Sequence, residues 1–288
     1  DGIRDRSPSR GLGDVYKRQV SDIAGNTTSN FTTISGGSVT VDTSAPAAFT
    51  TGAVTAVGGT VTANYWNGTN TSLKVTVPIA NDASLEGGTL QLRANVASGG
   101  YENFGSAYTI TGDDLNGNYE FSNTAAVFEA LSSGLSDGES VAFTAILTDK
   151  SGNSTTGTAS ATTITVDQTG PTISTSSIAS DNATNTLDKS GDVVTLTIAT
   201  NENVTSPTVS FTSGGDAATT GDTVSGDSPG NSFTAAYTVH ASDTDGSVAI
   251  NISASDIAGN TTSNFTTISG CLLYTSQSPR DGLLSRMP

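Results

Sequence analysis

The stretch SDIAGNTTSNFTTISG occurs twice, at Ser21–Gly36 and at Ser255–Gly270, sixteen identical residues set 234 positions apart. A verbatim copy of that length makes the chain a window on a tandem array, so the repeating unit governs what it can fold into. Internal punctuation divides the period. Ile146–Pro171 runs through a strand-like segment, an Asp-x-x-Gly-Asn turn, a Thr-rich segment and a Val-Asp-x-x-x-Pro linker, the order also found over Ser21–Pro46. Asp42 and Asp167 occupy corresponding linker positions 125 residues apart, which leaves 109 residues to complete the period. Each length suits a two-sheet antiparallel sandwich of about 100 residues.

Within each length the apolar residues alternate. In DVVTLTIAT (Asp192–Thr200) and SVAINISAS (Ser247–Ser255), Val, Leu and Ile fall on one face and Thr, Ser and Asn on the other, which is the pattern of half-buried strands. The same reasoning predicts strands at Ser72–Val77, Thr89–Val96, Ala107–Thr111, Asn118–Phe121, Glu139–Thr148 and Thr158–Val166. In the second module it predicts them at Thr172–Ser176, Asp192–Thr200, Thr208–Thr212, Ser232–Val239, Ser247–Ser255 and Asn264–Ser269. One helical turn is expected at Val127–Leu131. Asp, Gly and Asn tolerate left-handed backbone and satisfy their own amides, so Asp22–Asn26, Asp149–Asn153 and Asp256–Asn260 read as turns. Pro46 and Pro171 end sheet pairing, and so mark module boundaries.

Both ends break this composition. Residues 1–19 and 271–288 hold seven of the eleven Lys and Arg residues, together with the single Cys (Cys271) and the single Met (Met287). DVYKRQ at Asp14–Gln19 and CLLYTS at Cys271–Ser276 resemble translated sequencing-library adapter, the first from GAT GTG TAT AAG AGA CAG and the second from its opposite strand. These ends are therefore expected to be non-native, disordered tails. The domain reading follows. Residues 20–42 are the closing strands of a truncated module, including Asn30–Ser35 and Ser38–Asp42. Residues 43–166 are a whole module, and 167–270 a module lacking its last strand. The native chain is expected to continue past Gly270 with a copy of Gly37–Pro46.

Charge narrows the function. The chain carries a formal −16, and between residues 20 and 270 only four basic residues face 23 acidic ones. No basic face exists to neutralise phosphates, which argues against nucleic-acid binding. No segment approaches the roughly 18–20 apolar residues of a membrane-spanning helix, so no membrane insertion is expected, and no signal peptide is recognisable.

Asp-x-x-Gly-Asn near a module's end, followed by Val-Asp-x-x-x-Pro at its junction, resembles the bacterial Ig-like repeats of large surface and secreted adhesins. The resemblance covers 20–270. It implies an all-β chain of tandem Ig-like β-sandwich modules, Greek-key and of about seven strands each, at the cell surface or outside the cell. It implies neighbouring modules of the same chain as partners, an unidentified host or surface ligand bound elsewhere, and Ca²⁺ at the junctions. Calcium takes six to eight oxygen ligands, mostly carboxylates and carbonyls from short loops. Asp42 and Asp167 sit at the hand-over between modules, Asp149 and Asp256 in the turns, and Glu202 in an acidic loop of the kind that faces a junction. Asp167, Glu202 and Asp149 are expected to form one interdomain site. The competing reading makes the Asp residues plain turn-formers and leaves Glu202 solvated.

Other features weigh less. Asp114-x-Asn116-Gly117 and Asp243-x-Asp245-Gly246 read as hairpin turns rather than calcium loops. His240, the single histidine, has no nucleophile motif beside it, and the chain is not expected to be an enzyme. Zinc is not expected either, since one His and one Cys make no site. Tyr65 and Trp66 offer a small stacking platform, which supports an alternative reading as a carbohydrate-binding accessory module of a secreted polysaccharide-degrading enzyme. A core role for Trp66 is the simpler expectation. Asn67-Gly68-Thr69 fits the glycosylation sequon.

Overall fold

Alternation decides the architecture. In the strand Ser72–Ile79 every second residue, Leu73 to Ile79, is buried, and in Thr89–Val96 the inward set is Leu90, Leu92, Ala94 and Val96. Faces of this kind cover one another and leave Thr and Ser outside, giving two-layer sandwiches. The computed structural model describes residues 20, 21, 23–25, 27, 28, 39–205, 207–218, 223–266, 274 and 275. It divides into two compact units, Asp1–Thr43 and Ser44–Pro288. In the first unit β1 (Val20–Ser21) and β2 (Thr27–Thr28) form an antiparallel pair around Ile23–Gly25. The strand expected at Asn30–Ser35 lies outside the described residues. Val39–Asp42 is described and forms no strand pairing. A strand needs an edge to bond to, and no described residue supplies one there.

The larger unit holds two modules, with separate hydrophobic cores on either side of Asp167. In the first module, one sheet pairs β3 (Val54–Val57), β5 (Ser72–Ile79) and β9 (Gly117–Thr124) in that order. The facing sheet runs β4 (Tyr65–Trp66), β12 (Ile164–Val166), β10 (Ser140–Thr148), β6 (Thr89–Val96) and β7 (Tyr101–Asn103). Short strands β8 (Tyr108–Thr109) and β11 (Ser154–Thr156) flank β6 and β10. Pairing between these strands is antiparallel except between β12 and β4, and an isolated parallel bridge joins Thr50 to Thr158. The expected strand Thr158–Val166 is thus confined to its last three residues. The expected helical turn becomes α1 (Ala125–Glu129), which starts two residues earlier, directly after β9 ends at Thr124.

The second module repeats the plan. β13 (Ile173–Ser180), β15 (Val193–Val204), β19 (Gly230–Thr238) and β18 (Thr223–Ser225) form one sheet. β17 (Asp216–Ala217), β16 (Thr208–Ser213), β20 (Val248–Ser255) and β21 (Thr261–Phe265) form the other. Both modules are Ig-like sandwiches, with four strands of the second facing four in the arrangement typical of that fold. Of the tails expected to be non-native, only Tyr274–Thr275 falls within the described residues. It forms β22, pairing in parallel with β14 (Leu187–Asp188). That is the place β12 takes against β4, and the 234-residue offset puts Thr40 and Val41 at the same two positions. Ladder bonds are made by the backbone, so unrelated side chains can fill the slot.

Candidate metal centre

Three carboxylates meet at the junction between the two modules. Asp167 immediately follows β12, and its N–H bonds the carbonyl of Trp66 at 2.8 Å. Asp256 immediately follows β20, in an isolated bridge with Val204. Glu202 lies near the end of β15, where the register with β19 breaks between Ala199 and Val204. Such a break re-aims side chains out of the ladder. One oxygen from each of Asp167, Glu202 and Asp256 lies within 4.8 Å of the others. Ligands on opposite sides of a calcium ion stand about 4.8 Å apart, since Ca–O distances run about 2.3–2.6 Å. The spacing and the all-oxygen donor set therefore fit a calcium ion, with main-chain or water oxygens completing the shell.

The electrostatics point the same way. Burial raises the pKa of Asp167, and the charges of Asp256 and Asp137 raise it further. Burial likewise raises Glu202, with Asp167 and Asp256 adding repulsion. The ion pairs among the described residues, Lys74–Glu120 and Lys189–Asp192, involve none of these groups. Among the described residues no ion pair relieves the cluster.

Around the carboxylates the modules are clasped by amides. Asp256 Oδ1 accepts from the N–H groups of Gly259 (2.7 Å) and Asn260 (2.9 Å), closing the Asp-x-x-Gly-Asn turn. The Asn260 amide then donates to Asp256 Oδ2 and to the carbonyl of Asp167, both at 2.8 Å, while its Oδ1 accepts from Gly68 N–H at 2.9 Å. Asn67, fully buried, donates to the carbonyls of Thr60 and Ala258, both at 2.7 Å. Gly259 has φ +95°, and a Cβ there would lie 2.8 Å from Thr60 Cγ2. Glycine is thus required for both backbone and contact. From the sequence Asn67 reads as part of a glycosylation sequon and Asn260 as the end of a turn, and neither reads as a bridge between modules. The available signal was the third appearance of Asn at the end of Asp-x-x-Gly-Asn.

The other expected ligands fall elsewhere. Asp149 is not in the cluster; Asp256 stands in its stead. β10 is antiparallel to β12, with Ser140 opposite Thr165, so Asp149, just past the far end of β10, lies about 30 Å along the strand from that register point. Its carboxylate accepts from the N–H groups of Ser151 and Asn153 and from the Asn153 amide, chiefly the last of which lowers its pKa. Asp42 belongs to the first unit, outside the cluster. Asp114 caps a short turn through Thr111 and accepts from Tyr108, and Asp243 accepts from His240 N–H, so both serve as turns. His240 is exposed, with Nδ1 at 2.8 Å from Ser242 Oγ. Trp66 is fully buried, 4.8 Å from Phe128 between ring centroids, with Nε1–H donated to Glu129. It leaves no stacking platform beside Tyr65. Burial also removes Asn67 as a glycan acceptor in the folded chain.

No protein-family model and no curated protein matches the sequence. Among solved structures, one described as "Marsupial T cell receptor" is similar at 10% identity, covering 74% of this chain and 98% of that one, with a TM-score of 0.24.

Proposed function

We propose that the chain is a run of spacer modules from the stalk of a bacterial cell-surface or secreted adhesin, holding a binding head away from its anchor. The observation that carries this reading is the clasp of Asn67, Gly68, Asp167 and Asn260, which ties consecutive sandwiches by buried and part-buried hydrogen bonds instead of a loose linker. Interfaces within a chain ordinarily permit relative motion unless they are extensive. A bonded junction suits a part whose task is reach and stiffness. The array itself supports the same reading, because each added copy lengthens a spacer. Asp167, Glu202 and Asp256 hold Ca²⁺ at this junction, and the ion neutralises three carboxylates drawn from the linker and the second module. No catalytic chemistry is assigned, and the ligand of the assembly belongs to a domain other than these.

Calorimetric titration of the chelated chain with CaCl₂ tests the proposal. Saturable binding is expected, abolished by Asp256→Asn with Glu202→Gln. Calcium at 100 times its dissociation constant raises stability by about 2.7 kcal/mol. A flat titration, with a melting temperature indifferent to chelation, overturns the calcium reading.

A further inference from the structure

The loop that receives the following module in the first sandwich has a counterpart in the second, and it carries different chemistry. Asn67–Asn70 follows β4; Lys189–Asp192 follows β14, and both short strands pair in parallel with a closing strand. Both loops are closed alike. Asn67 N–H bonds Asn70 Oδ1 at 2.8 Å and Lys189 N–H bonds Asp192 Oδ2 at 3.0 Å, while the return bonds to the Asn67 and Lys189 carbonyls measure 3.1 and 3.0 Å. The second loop lies at the end of its module remote from Asp256. Val193 begins β15 and Val204, bridged to Asp256, ends it, a run of about 37 Å. The sequence also states what comes next in the array. Ser21–Gly36 duplicates Ser255–Gly270, and the first module follows that copy. A module of the second kind therefore precedes one of the first kind.

We propose that Lys189–Asp192 is the seat for the Asp149–Asn153 turn of a following copy of the first module, so that the array alternates a carboxylate junction with a lysine junction. The inference rests on the tandem-array reading above. The incoming turn has the geometry of the one already seated. Asp149 N–H bonds the Asn153 carbonyl at 2.9 Å, as Asp256 N–H bonds that of Asn260 at 3.0 Å, and each Asp accepts from the backbone and amide of its Asn. Lys189 stands where Asn67 donates to Ala258, so its counterpart acceptor is the carbonyl of Ser151. Its side chain is 71% exposed and its Nζ lies 2.7 Å from Asp192 Oδ1, which pre-aims the ammonium without burying it. The carboxylate just past the end of β5, where β15 has Glu202, is already engaged within its own module. The stretch after β5, Ala80-Asn81-Asp82, has a single carboxylate, and Asp82 uses it to cap Ser84 through N–H and hydroxyl. A flexible lysine supplies a point charge at such a rim.

The test extends the chain. Residues 1–270 are followed by a copy of 37–166, and cysteine pairs on exposed positions flank each junction for spin-label distance measurements. The expected result is a narrow distance across the lysine junction with or without chelator, and loss of that narrow distribution in Lys189→Ala but not in Asn67→Ala. Asn67→Ala loosens only the carboxylate junction. A narrow distribution in Lys189→Ala, or a lysine junction that loosens on chelation alone, overturns the proposal. If chelation moves neither junction, the calcium reading fails while the Lys189 result still decides this one. Lys189 is a surface residue, so circular dichroism of Lys189→Ala is expected to match the parent and to certify the comparison.

Discussion

The same strand plan is closed in the two modules by opposite residues. Trp66 in the first and Asp188 in the second each end the short strand that pairs in parallel with the closing strand, and each is essentially without solvent exposure. Trp66 is completed by its surroundings. Phe128 from α1 packs on its ring, Phe104 and Phe143 extend the cluster, and Glu129 accepts its N–H. Asp188 is not completed: among the described residues neither carboxylate oxygen has a hydrogen-bond partner of good geometry, and only the Ser180 hydroxyl stands near it. The first module spends sixteen more residues than the second, part of them on the segment holding α1 between β9 and β10. That insertion makes a large aromatic possible at this place. Without it, the second module leaves a polar group where its sister has its largest core side chain.

Breaking the first half of this comparison has the largest effect. Trp66→Ala removes a fully buried indole from an aromatic cluster and is expected to cost about 3–5 kcal/mol. Urea unfolding is the measurement, and the first module should lose its transition before the second. Asp188→Leu, at the equivalent position, should be neutral or stabilising, because it removes an unpartnered buried carboxylate. Equal losses at the two sites would show that the positions are equivalent in energy as well as in topology.

The next comparison is between the two complete Asp-x-x-Gly-Asn turns. Gly152 and Gly259 have nearly the same φ, +96° and +95°, so alanine at either is expected to cost about 1–2 kcal/mol of left-handed strain. Their surroundings differ. A Cβ at Gly152 meets nothing within 4 Å, whereas one at Gly259 lies 2.8 Å from Thr60 Cγ2 and 2.9 Å from Thr62 Oγ1 of the first module. Gly259→Ala should therefore cost a further amount of about 1–3 kcal/mol through overpacking, and should loosen the junction. Thermal unfolding of both variants sharpens the comparison; identical shifts would mean the junction yields freely.

Much of this architecture was legible in the sequence, and the reasons for the gaps are physical. The long strands announce themselves because eight alternating residues, as in β5 or β20, leave little doubt about which face is buried. Two-residue strands such as β4 and β14 carry no periodicity, so the parallel pairing that fixes the module ends could not be read. Asp167, Glu202 and Asp256 were all visible as candidates, but grouping Asp149 with Asp167 ignored strand direction. A turn that closes β10 lies at the opposite pole from a linker that leaves β12. The clasp by Asn67 and Asn260 was hidden for another reason, since an amide reads equally as turn-former or as bridge until its partner loop is known.

The smallest expected effect belongs to Asp188→Asn, and its sign depends on pH. Burial raises the Asp188 pKa, the charges of Asp192 and Asp181 raise it further, and the nearby Ser180 hydroxyl pulls the other way. A carboxyl whose folded pKa exceeds its unfolded value binds its proton more tightly when folded. Its contribution is therefore most favourable below the unfolded pKa and declines as pH rises through the folded one. Asn carries no such proton, so Asp188→Asn should melt higher than the parent at pH 7, with the gap closing as pH falls towards 4. Its neighbour does not confuse the window. Hydrogen bonds from Lys189 and Asn182 hold the Asp192 pKa down to about 2, so the stability it contributes is present above the unfolded range and is lost only as pH falls towards 2. Melting curves of parent and variant at pH 7, 5.5 and 4 decide the matter. A gap that stays constant with pH would assign the effect to packing of the amide and remove Asp188 from the titrating groups. A gap that closes would identify this carboxylate as the electrostatic counterpart of the indole that seals the first module.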